Sequence, residues 1–332
     1  MMSRAGKSRG VVIGKFHPPH LGHLHLIHVA LAGADEVTVI VCERADQELS
    51  GALRAGWLRE MAPRARVIVV ADALPADDSR AWASYTRAVL GYAPDLVFTS
   101  ERYGDAYARF LGARHVLVDL GRSAVPVSAS SIRRDPLAQW EFLAPCVQAH
   151  FARRVCVLGA ESSGTTTLAV SLAAHYRTAW VPEFGRSYFE AKIQLPGPLV
   201  WDAQEFAFIA AGQNRLEDAR ARACNRLLVC DTDAFATRLW QERYQGLISP
   251  QVRCASAGRR MDLYLLTDCA IPFVQDGTRD GEHLRERMQL RFAQELRADG
   301  KRFLEVAGTP RERLELAVAA CDDLLREVRP LA

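Results

Sequence analysis

The stretch "VCVLGAESSGTTT" (155–167) sets the architecture expected for the second half of the chain. An apolar run leads into a loop that begins and ends with glycine, and the residues after the loop have helical spacing. This order is typical of a phosphate-binding P-loop, whose pattern is G-x-x-x-x-G-K-[ST]. Gly159, Gly164 and Thr166 match the pattern, whereas Thr165 stands where the pattern has lysine. The sequence therefore predicts a P-loop without its usual cation.

The composition is that of a globular protein of two ordinary domains. The 332 residues are 49% hydrophobic and 24% charged. No apolar stretch reaches the roughly 18 residues of a membrane-spanning helix, and the first residues do not resemble a secretory signal. We therefore expect a cytoplasmic protein without membrane association. The net charge of +3 is too small to indicate nucleic-acid binding by itself.

Short apolar runs alternate with longer helical runs in the first half. The predicted strands are 11–14, 36–42, 65–70, 95–98 and 115–118, and the clearest helices are 22–33 and 77–92. The β-branched character of the strands suits a parallel sheet that is buried on both faces. The alternation predicts right-handed βαβ units and a doubly wound α/β domain.

The alternation restarts after a helical connection at 137–154. New strands are predicted at 155–159, 226–231, 261–266 and 301–308, with helices at 202–222, 233–244, 282–298 and 310–328. We therefore expect a first domain at 1–152 and a second, P-loop domain at 153–332, both of the α/β class with mainly parallel sheets.

Neither the cysteines nor the histidines predict a zinc site. The eight cysteines include no C-x-x-C pair, so reduced and buried thiols are expected. Five histidines fall between His17 and His28, yet no cysteine or carboxylate lies near them in the sequence to complete a ligand set.

The segment "GKFHPPHLGH" (14–23) follows the first predicted strand directly and leads into a helix. A helix N-terminus presents unpaired N–H groups and a partial positive charge, which attract phosphate. His20 and His23, at the start of this helix, would add donors to a phosphate whose negative charge grows in a transition state. The segment predicts a phosphate site.

This segment resembles the signature of the nucleotidyltransferase family that carries the "HIGH" motif. The matching residues are Gly14, Phe16, Pro18, His20, Gly22 and His23, and a second family motif, S-x-[ST]-x-x-R, is matched in "SASSIRRDP" (128–136) by Ser128, Ser130 and Arg133. The resemblance implies a Rossmann-like domain in which a phosphate oxygen of one substrate attacks the α-phosphorus of a nucleotide and pyrophosphate leaves, with Mg²⁺ assisting.

The resemblance also implies roles for individual residues. His20, His23 and Arg133 would be catalytic, with Arg133 at a second helix start on the departing phosphates. The implied nucleotide-binding residues are Gly14, Lys15, Phe16, His17, Gly22, Ser128 and Ser130. For Trp82, stacking on a planar base and packing in the core are equally open.

The second half supplies the other parts of a phosphate-transfer site. The P-loop residues expected to bind ATP are Gly159, Glu161, Ser162, Ser163, Gly164, Thr165, Thr166 and Thr167. Asp231 and Asp233 follow a predicted strand, where carboxylates can hold Mg²⁺ and accept a hydroxyl proton. We expect Asp231 to be catalytic and, with Thr166, to hold the metal. Arg279, in a glycine-flanked loop, is expected to contact the nucleotide from a closing lid.

Over nearly its whole length the chain resembles the bifunctional nicotinamide-nucleotide adenylyltransferase/ribosylnicotinamide kinase proteins of the NadR type. Besides the motifs above, the resemblance is carried by "EFGRSYFEAK" (183–192) and "CDTDAFATRLW" (230–240). It implies that the first domain makes NAD from nicotinamide mononucleotide and ATP, and that the second phosphorylates nicotinamide riboside with ATP. The expected substrate-binding residues are Trp82 in the first domain and Glu183, Arg186, Tyr188 and Asp233 in the second.

Two departures from the family follow from the sequence. Some members carry an N-terminal DNA-binding domain; only ten residues precede Val11, so no operator DNA is expected as a partner, while homo-oligomerisation stays open. The second departure is Thr165. A unit charge about 4 Å from phosphate contributes roughly 4 kcal/mol at an effective dielectric near 20, and Lys192 and Arg186 are the candidates to replace it.

Two alternatives stay open at this point. The P-loop domain could bind ATP or NAD as a sensor that regulates the first domain without turnover. The first domain could also transfer a nucleotide to a different phosphorylated acceptor, because its two motifs occur throughout the nucleotidyltransferase family.

Overall fold

The structure, a computed structural model, describes residues 7–276 and 281–331. The chain forms two compact units. Unit 1 runs to Val147 and also contains the C-terminal segment from Val328, and unit 2 is Gln148–Glu327. The division lies a few residues before the boundary expected at 152, and the end of the chain belongs to the first unit rather than the second.

Unit 1 contains a five-stranded, wholly parallel sheet in the order β3-β2-β1-β4-β5. The strands are β1 (Arg9–Gly14), β2 (Glu36–Glu43), β3 (Arg66–Ala71), β4 (Leu96–Thr99) and β5 (Arg114–Leu117). The helices are α1 (Leu21–Gly33), α2 (Gly51–Met61), α3 (Ser79–Leu90), α4 (Gly104–Leu111) and α5 (Ala129–Arg134), and the division between the units falls within α6 (Pro145–Phe151). Apolar clusters cover both faces of the sheet. The chain order reverses at β1, and the loops that follow β1 and β4 open a crevice at the carboxyl ends of the strands.

Unit 2 repeats the arrangement with the order β10-β9-β6-β8-β7, again wholly parallel. Its strands are β6 (Arg153–Gly159), β7 (Trp180–Val181), β8 (Leu227–Asp231), β9 (Leu263–Thr267) and β10 (Phe303–Val306). Its helices are α7 (Thr165–Tyr176), α8 (Phe184–Lys192), α9 (Ala203–Ala221), α10 (Ala234–Gln245), α11 (Pro250–Ser256), α12 (Arg285–Ala298) and α13 (Pro310–Arg326). The central strand β6 leads directly into the predicted P-loop, which therefore lies at the carboxyl edge of the sheet.

These two parallel sheets confirm the predicted fold class. All nine predicted strands are present within about three residues of their expected ends. The short strand β7 and the helices α2, α4, α8 and α11 were not predicted. No helix of the described residues combines the length and the apolar character needed to cross a membrane. All eight cysteines are free thiols.

Candidate active sites

The crevice in unit 1 is a cavity of about 460 Å³. The loop after β1, the start of α1, the loop after β4 and α5 contribute to its wall. The residues predicted for the first site that line it are Gly14, Lys15, Phe16, His17, His20, Gly22, His23, Trp82, Ser128, Ser130 and Arg133. The fold thus brings both sequence motifs, more than 100 residues apart, to one cavity.

His20 and His23 cap the N-terminus of α1 and each fixes the orientation of the other. Nδ1 of His20 accepts hydrogen bonds from the backbone N–H groups of Gly22 (3.1 Å) and His23 (3.4 Å), and Nδ1 of His23 accepts from the His20 N–H (3.3 Å). The two rings stack with their centroids 3.7 Å apart. Because Nδ1 is an acceptor in both rings, the neutral side chains carry their proton on Nε2. Each ring therefore has one remaining N–H donor.

Both imidazoles are held in the neutral form. Burial, with a smaller effect from Arg122, lowers the pKa of His20 from 6.5 to about 4. Burial, with smaller effects from His20 and Arg122, also lowers the pKa of His23 well below its usual value. At neutral pH the pair therefore offers hydrogen-bond donors rather than positive charge.

Positive charge at this site comes from arginine and lysine. Nη1 of Arg133 donates to the His17 carbonyl at 2.7 Å, and Nη2 donates to Ser130 Oγ at 3.2 Å. Arg133 lies in the last turn of α5 and not at a helix start, so that expectation was wrong. The Lys15 ammonium lies 3.4 Å from the Asp72 carboxylate, which offsets part of its charge.

Several predicted residues use their side chains in contacts within unit 1. The Ser128 hydroxyl caps α5 together with Ser131, so this side chain is already used within the protein. Phe16 has a left-handed backbone (φ 49°) and its ring packs edge-on against His23 at 4.9 Å. Trp82 is 9% exposed and its indole N–H donates to the Pro75 carbonyl at 3.0 Å. Because Trp82 both packs in this way and lines the cavity, its stacking on a base stays a prediction.

Unit 2 has a cavity of about 210 Å³ over the P-loop. The predicted residues that line it are Gly159, Glu161, Ser162, Gly164, Thr165, Thr166, Thr167, Glu183 and Arg186. Gly164 has φ 84°, a left-handed conformation that favours glycine, and α7 begins at the next residue. A Cβ at Gly159 would lie 2.3 Å from Thr267 Oγ1. The backbone conformation therefore favours glycine at 164, and the lack of space for a side chain favours it at 159.

Beneath the cavity, Thr166 Oγ1 donates to Asp231 Oδ2 at 2.6 Å. The other carboxylate oxygen, Oδ1, is buried and lacks a hydrogen-bond partner among the described residues. Burial raises the pKa of Asp231, against the effects of the hydrogen bonds from Thr166 and Thr165 and the charge of Arg186. A hydroxyl and a carboxylate with an unused oxygen are the donor set that Mg²⁺ takes beside nucleotide phosphates.

Two of the expected substrate residues are directed elsewhere. Asp233 is 2% exposed; its carboxylate caps α10 through the Ala236 N–H and accepts from the Tyr264 hydroxyl at 2.8 Å. The Tyr188 hydroxyl donates to Glu205 Oε1 at 2.7 Å, and Tyr188 does not line the cavity. The structure therefore does not bring either side chain to the wall of the cavity. The Ser163 hydroxyl likewise forms a hydrogen bond with Thr267, and Ser163 does not line the cavity.

Lys192 and Arg186, the two candidates to replace the P-loop lysine, differ in their position relative to the cavity. The Lys192 ammonium bonds to Glu205 and to the Val200 carbonyl and does not line the cavity, so it does not take the place of the missing lysine. Arg186 lines the cavity, with Nη1 3.2 Å from Asp276 and Nε 3.9 Å from Glu183. Its charge also acts on Asp231.

Two arginines outside the cavity hold the P-loop. Arg285 donates to the carbonyl oxygens of Glu161 (3.1 Å) and Ser162 (3.2 Å), and Arg313 donates to that of Ser163 (2.6 Å). The three carbonyl groups are thereby turned outward. Outward carbonyl groups leave the loop N–H groups for an anion.

The other wall of this cavity is aromatic. Phe189, Trp201, Phe206, Trp240 and Tyr244 line it, and Trp201 stacks on Phe189 with ring centroids 5.7 Å apart. Tyr188, an expected substrate residue, is not among them. Arg279, the predicted lid residue, lies outside the described residues.

Comparison with known proteins agrees with the two units. Residues 11–83 match the cytidylyltransferase-like family and residues 154–313 match the AAA domain family. The trifunctional NAD biosynthesis/regulator protein NadR of Salmonella typhimurium is 30% identical over 301 residues, covering 83% of this chain and 72% of that protein. The chain belongs to the NadR family. NadR of Escherichia coli K12 is 29% identical over 98% of this chain and 84% of its own length.

Further matches extend this comparison. The nicotinamide-nucleotide adenylyltransferase of Aeropyrum pernix is 33% identical over 91 residues, which is 25% of this chain and 53% of that protein. A crystal structure of NadR protein in complex with NR covers 99% of both chains with a TM-score of 0.79 at 22% identity. A NadR structure with NAD and AMP-PNP covers 98% of this chain and 99% of that one, with a TM-score of 0.74 at 22% identity. The fold of the NadR family thus extends over the whole chain.

Proposed function

We propose that this chain carries out two steps of NAD biosynthesis. Unit 1 transfers AMP from ATP to nicotinamide mononucleotide, giving NAD and pyrophosphate. Unit 2 phosphorylates nicotinamide riboside with ATP, giving nicotinamide mononucleotide and ADP. The product of the second unit is then the substrate of the first.

The observation that carries the first activity is the convergence of two neutral Nε2–H donors and a guanidinium on one cavity. A phosphate oxygen of the mononucleotide attacks the α-phosphorus of ATP, and the bond from that phosphorus to the bridging oxygen of pyrophosphate breaks. His20 and His23 donate to the phosphate oxygens, and Arg133 neutralises the leaving pyrophosphate. The names of the NadR and adenylyltransferase relatives support this assignment.

The kinase assignment rests on the Thr166–Asp231 pair and on Arg186 and Glu183, which line the same cavity. A ribose hydroxyl attacks the γ-phosphorus of ATP and ADP leaves. Glu183, which lines the cavity, accepts the hydroxyl proton, because burial and the nearby Asp231 raise its pKa to about 7. Nicotinamide riboside carries a positively charged pyridinium ring, and the aromatic wall around Trp201 suits such a cation.

Thr166 and Asp231 are the residues that would hold Mg²⁺ in unit 2. When bound with ATP, the ion neutralises charge that develops on the phosphates. Arg186, which lines the same cavity and whose charge acts on Asp231, supplies the positive charge that Thr165 lacks.

The acceptor of unit 1 is tested by pyrophosphate release from ATP. Nicotinamide mononucleotide, nicotinic acid mononucleotide and a simple sugar phosphate would be compared as acceptors under identical conditions. We expect pyrophosphate to form in step with NAD from the first acceptor. A faster reaction with another phosphorylated acceptor would overturn the proposal.

Thr165 favours a second candidate for unit 2, a module that binds ATP or NAD and regulates unit 1 without turnover. Incubation of the chain with nicotinamide riboside and ATP separates the two candidates. Nicotinamide mononucleotide and ADP are the expected products. ATP binding without either product would identify the sensor.

A further inference from the structure

Arg54, in α2, is completely buried behind the first cavity. Its guanidinium donates to the carbonyl oxygens of Leu49 (2.9 Å), Cys42 (3.2 Å) and Lys15, and to Gln47 Oε1 (2.8 Å). The Lys15 carbonyl belongs to the loop after β1 that lines the cavity. One side chain thus ties β2, the segment before α2 and this loop together.

All of these partners are uncharged. No carboxylate of the described residues forms an ion pair with Arg54, and the acids Glu43 and Asp72 act on it only over a longer range. An arginine keeps its charge in such a setting, and a buried charge without an opposite charge is unfavourable. The charge is felt at the cavity, since Arg54, after burial, is the largest cause of the lowered pKa of His17.

The bond to Lys15 also orients the next peptide group. In a trans peptide the C=O and N–H bonds point in opposite directions, so a carbonyl held by Arg54 directs the Phe16 N–H to the other side. Phe16 has the left-handed φ of 49°, a conformation that a non-glycine residue holds only with support from its surroundings. Arg54 provides that support.

We propose that Arg54 is a positioning residue for the phosphate groups of the nucleotide in unit 1. It fixes the loop of residues 14–17 and places a buried positive charge behind it, and the anionic phosphates supply the missing counter-charge. The inference rests on the adenylyltransferase function proposed above, and it adds a residue that touches neither substrate.

The test compares Arg54→Met, Arg54→Lys and the control Arg59→Met in the full chain. Arg59 lies on the same helix and donates to the Val67 carbonyl, away from the cavity. NAD formation gives kcat and the KM values for ATP and nicotinamide mononucleotide, and calorimetric titration gives the ATP affinity of each site. Because unit 2 is identical in all variants, its ATP binding cancels in the comparison.

Arg54→Met is expected to raise both KM values about tenfold or more and to weaken one of two ATP sites, while Arg59→Met matches the wild type. Arg54→Lys keeps the positive charge but loses the planar guanidinium with its several N–H donors, so it should raise the two KM values less. Wild-type KM values in a folded Arg54→Met chain would overturn the inference. If that variant does not fold, Arg54→Lys decides: a raised KM supports the inference and an unchanged KM overturns it.

A failure of the proposed function can be distinguished from a failure of the Arg54 inference. If the wild-type chain makes no NAD, the adenylyltransferase proposal is wrong. The titration with ATP then still tests Arg54, because weakened binding at one site supports its role and unchanged binding at both sites overturns it.

Discussion

The Thr166 hydroxyl donates a 2.6 Å hydrogen bond to Oδ2 of Asp231, 65 residues further along the chain. The bond joins the start of α7 to the end of β8, and it leaves the second oxygen of Asp231 buried without a partner among the described residues. A pair of this kind is prepared for a cation bound with nucleotide phosphates.

Thr166→Val and Asp231→Asn are therefore expected to stop the phosphorylation of nicotinamide riboside. A bound metal ion contributes several kcal/mol to such a reaction, so each change should lower kcat by about 100-fold or more. The measurement is ADP release with nicotinamide riboside as acceptor. NAD formation from nicotinamide mononucleotide is the internal control, because unit 1 is untouched. Equal loss of both activities would contradict the assignment.

Arg186→Met is expected to lower kcat/KM for nicotinamide riboside phosphorylation, while the matched change Lys192→Met leaves it close to the wild-type value. Arg186 lines the cavity, whereas the Lys192 ammonium bonds to Glu205 outside it. A charge contribution of about 4 kcal/mol corresponds to roughly a thousandfold loss. Similar losses in both variants would show that Arg186 has no special role.

Thr165→Lys provides the reciprocal test of the same position. If Arg186 supplies the missing charge, a lysine at position 165 should restore much of the rate in the Arg186→Met variant and change the wild-type rate little. Such dependence between two substitutions measures their coupling directly. A large gain in the wild-type background would indicate instead that the natural P-loop is impaired.

Glu183→Gln is expected to abolish the decrease in kcat/KM that the wild-type kinase reaction shows at low pH. The pKa of Glu183 is raised to about 7 by burial and by Asp231, and a proton acceptor must be ionised to act. For the wild type, kcat/KM for nicotinamide riboside should therefore fall as the pH drops below about 7. The glutamine variant should be about 100-fold slower and lack this decrease. An unchanged pH profile in Glu183→Gln would exclude the role.

His20→Asn separates the capping role of His20 from its role as a donor. Asparagine is a good N-cap residue, so α1 should persist, but the Nε2–H group is lost. We expect NAD formation to fall by about 100-fold or more, as when one donor to a developing charge is removed. His28→Ala, on the exposed side of the same helix, is the control. Retained activity in His20→Asn would remove His20 from the site.

Imidazole ¹⁵N spectra test the protonation state of the pair. Because the pKa of His20 is lowered to about 4 and that of His23 well below its usual value of 6.5, neither ring should titrate between pH 8 and about 5. Both should show the Nε2–H tautomer, with the signals assigned from His20→Asn and His23→Asn. Because the unfolded chain takes up these protons near pH 6.5, stability should fall as the pH decreases from about 6.5 towards 4. Titration of either ring near pH 6.5 would contradict the account.

The sequence was sufficient for the elements that are coded locally. Continuous β-branched runs gave the long strands, and the capped segment 14–23 gave the start of α1. Helix α2 was missed because its segment "GALRAGWLREM" shows weak periodicity and buries a charged residue, Arg54. A buried arginine contradicts the pattern on which such predictions depend.

The site was predicted well where one motif contains its parts and poorly where distant residues meet. Asp233 follows a strand as a metal ligand would and precedes a helix as an N-cap residue would, but local spacing does not show that its carboxylate also accepts from Tyr264, 31 residues later. Arg313 reaches the Ser163 carbonyl across 150 residues. Contacts of that kind are set by the packing of the sheet, which local spacing does not reveal.

Supplying the chain with only nicotinamide riboside, ATP and Mg²⁺ shows whether one chain performs both steps. With the reaction followed by ³¹P NMR, nicotinamide mononucleotide should form first with ADP, and NAD should follow with pyrophosphate. If nicotinamide riboside stays unchanged while added nicotinamide mononucleotide is converted to NAD, unit 2 is not a kinase and the two-step account is contradicted.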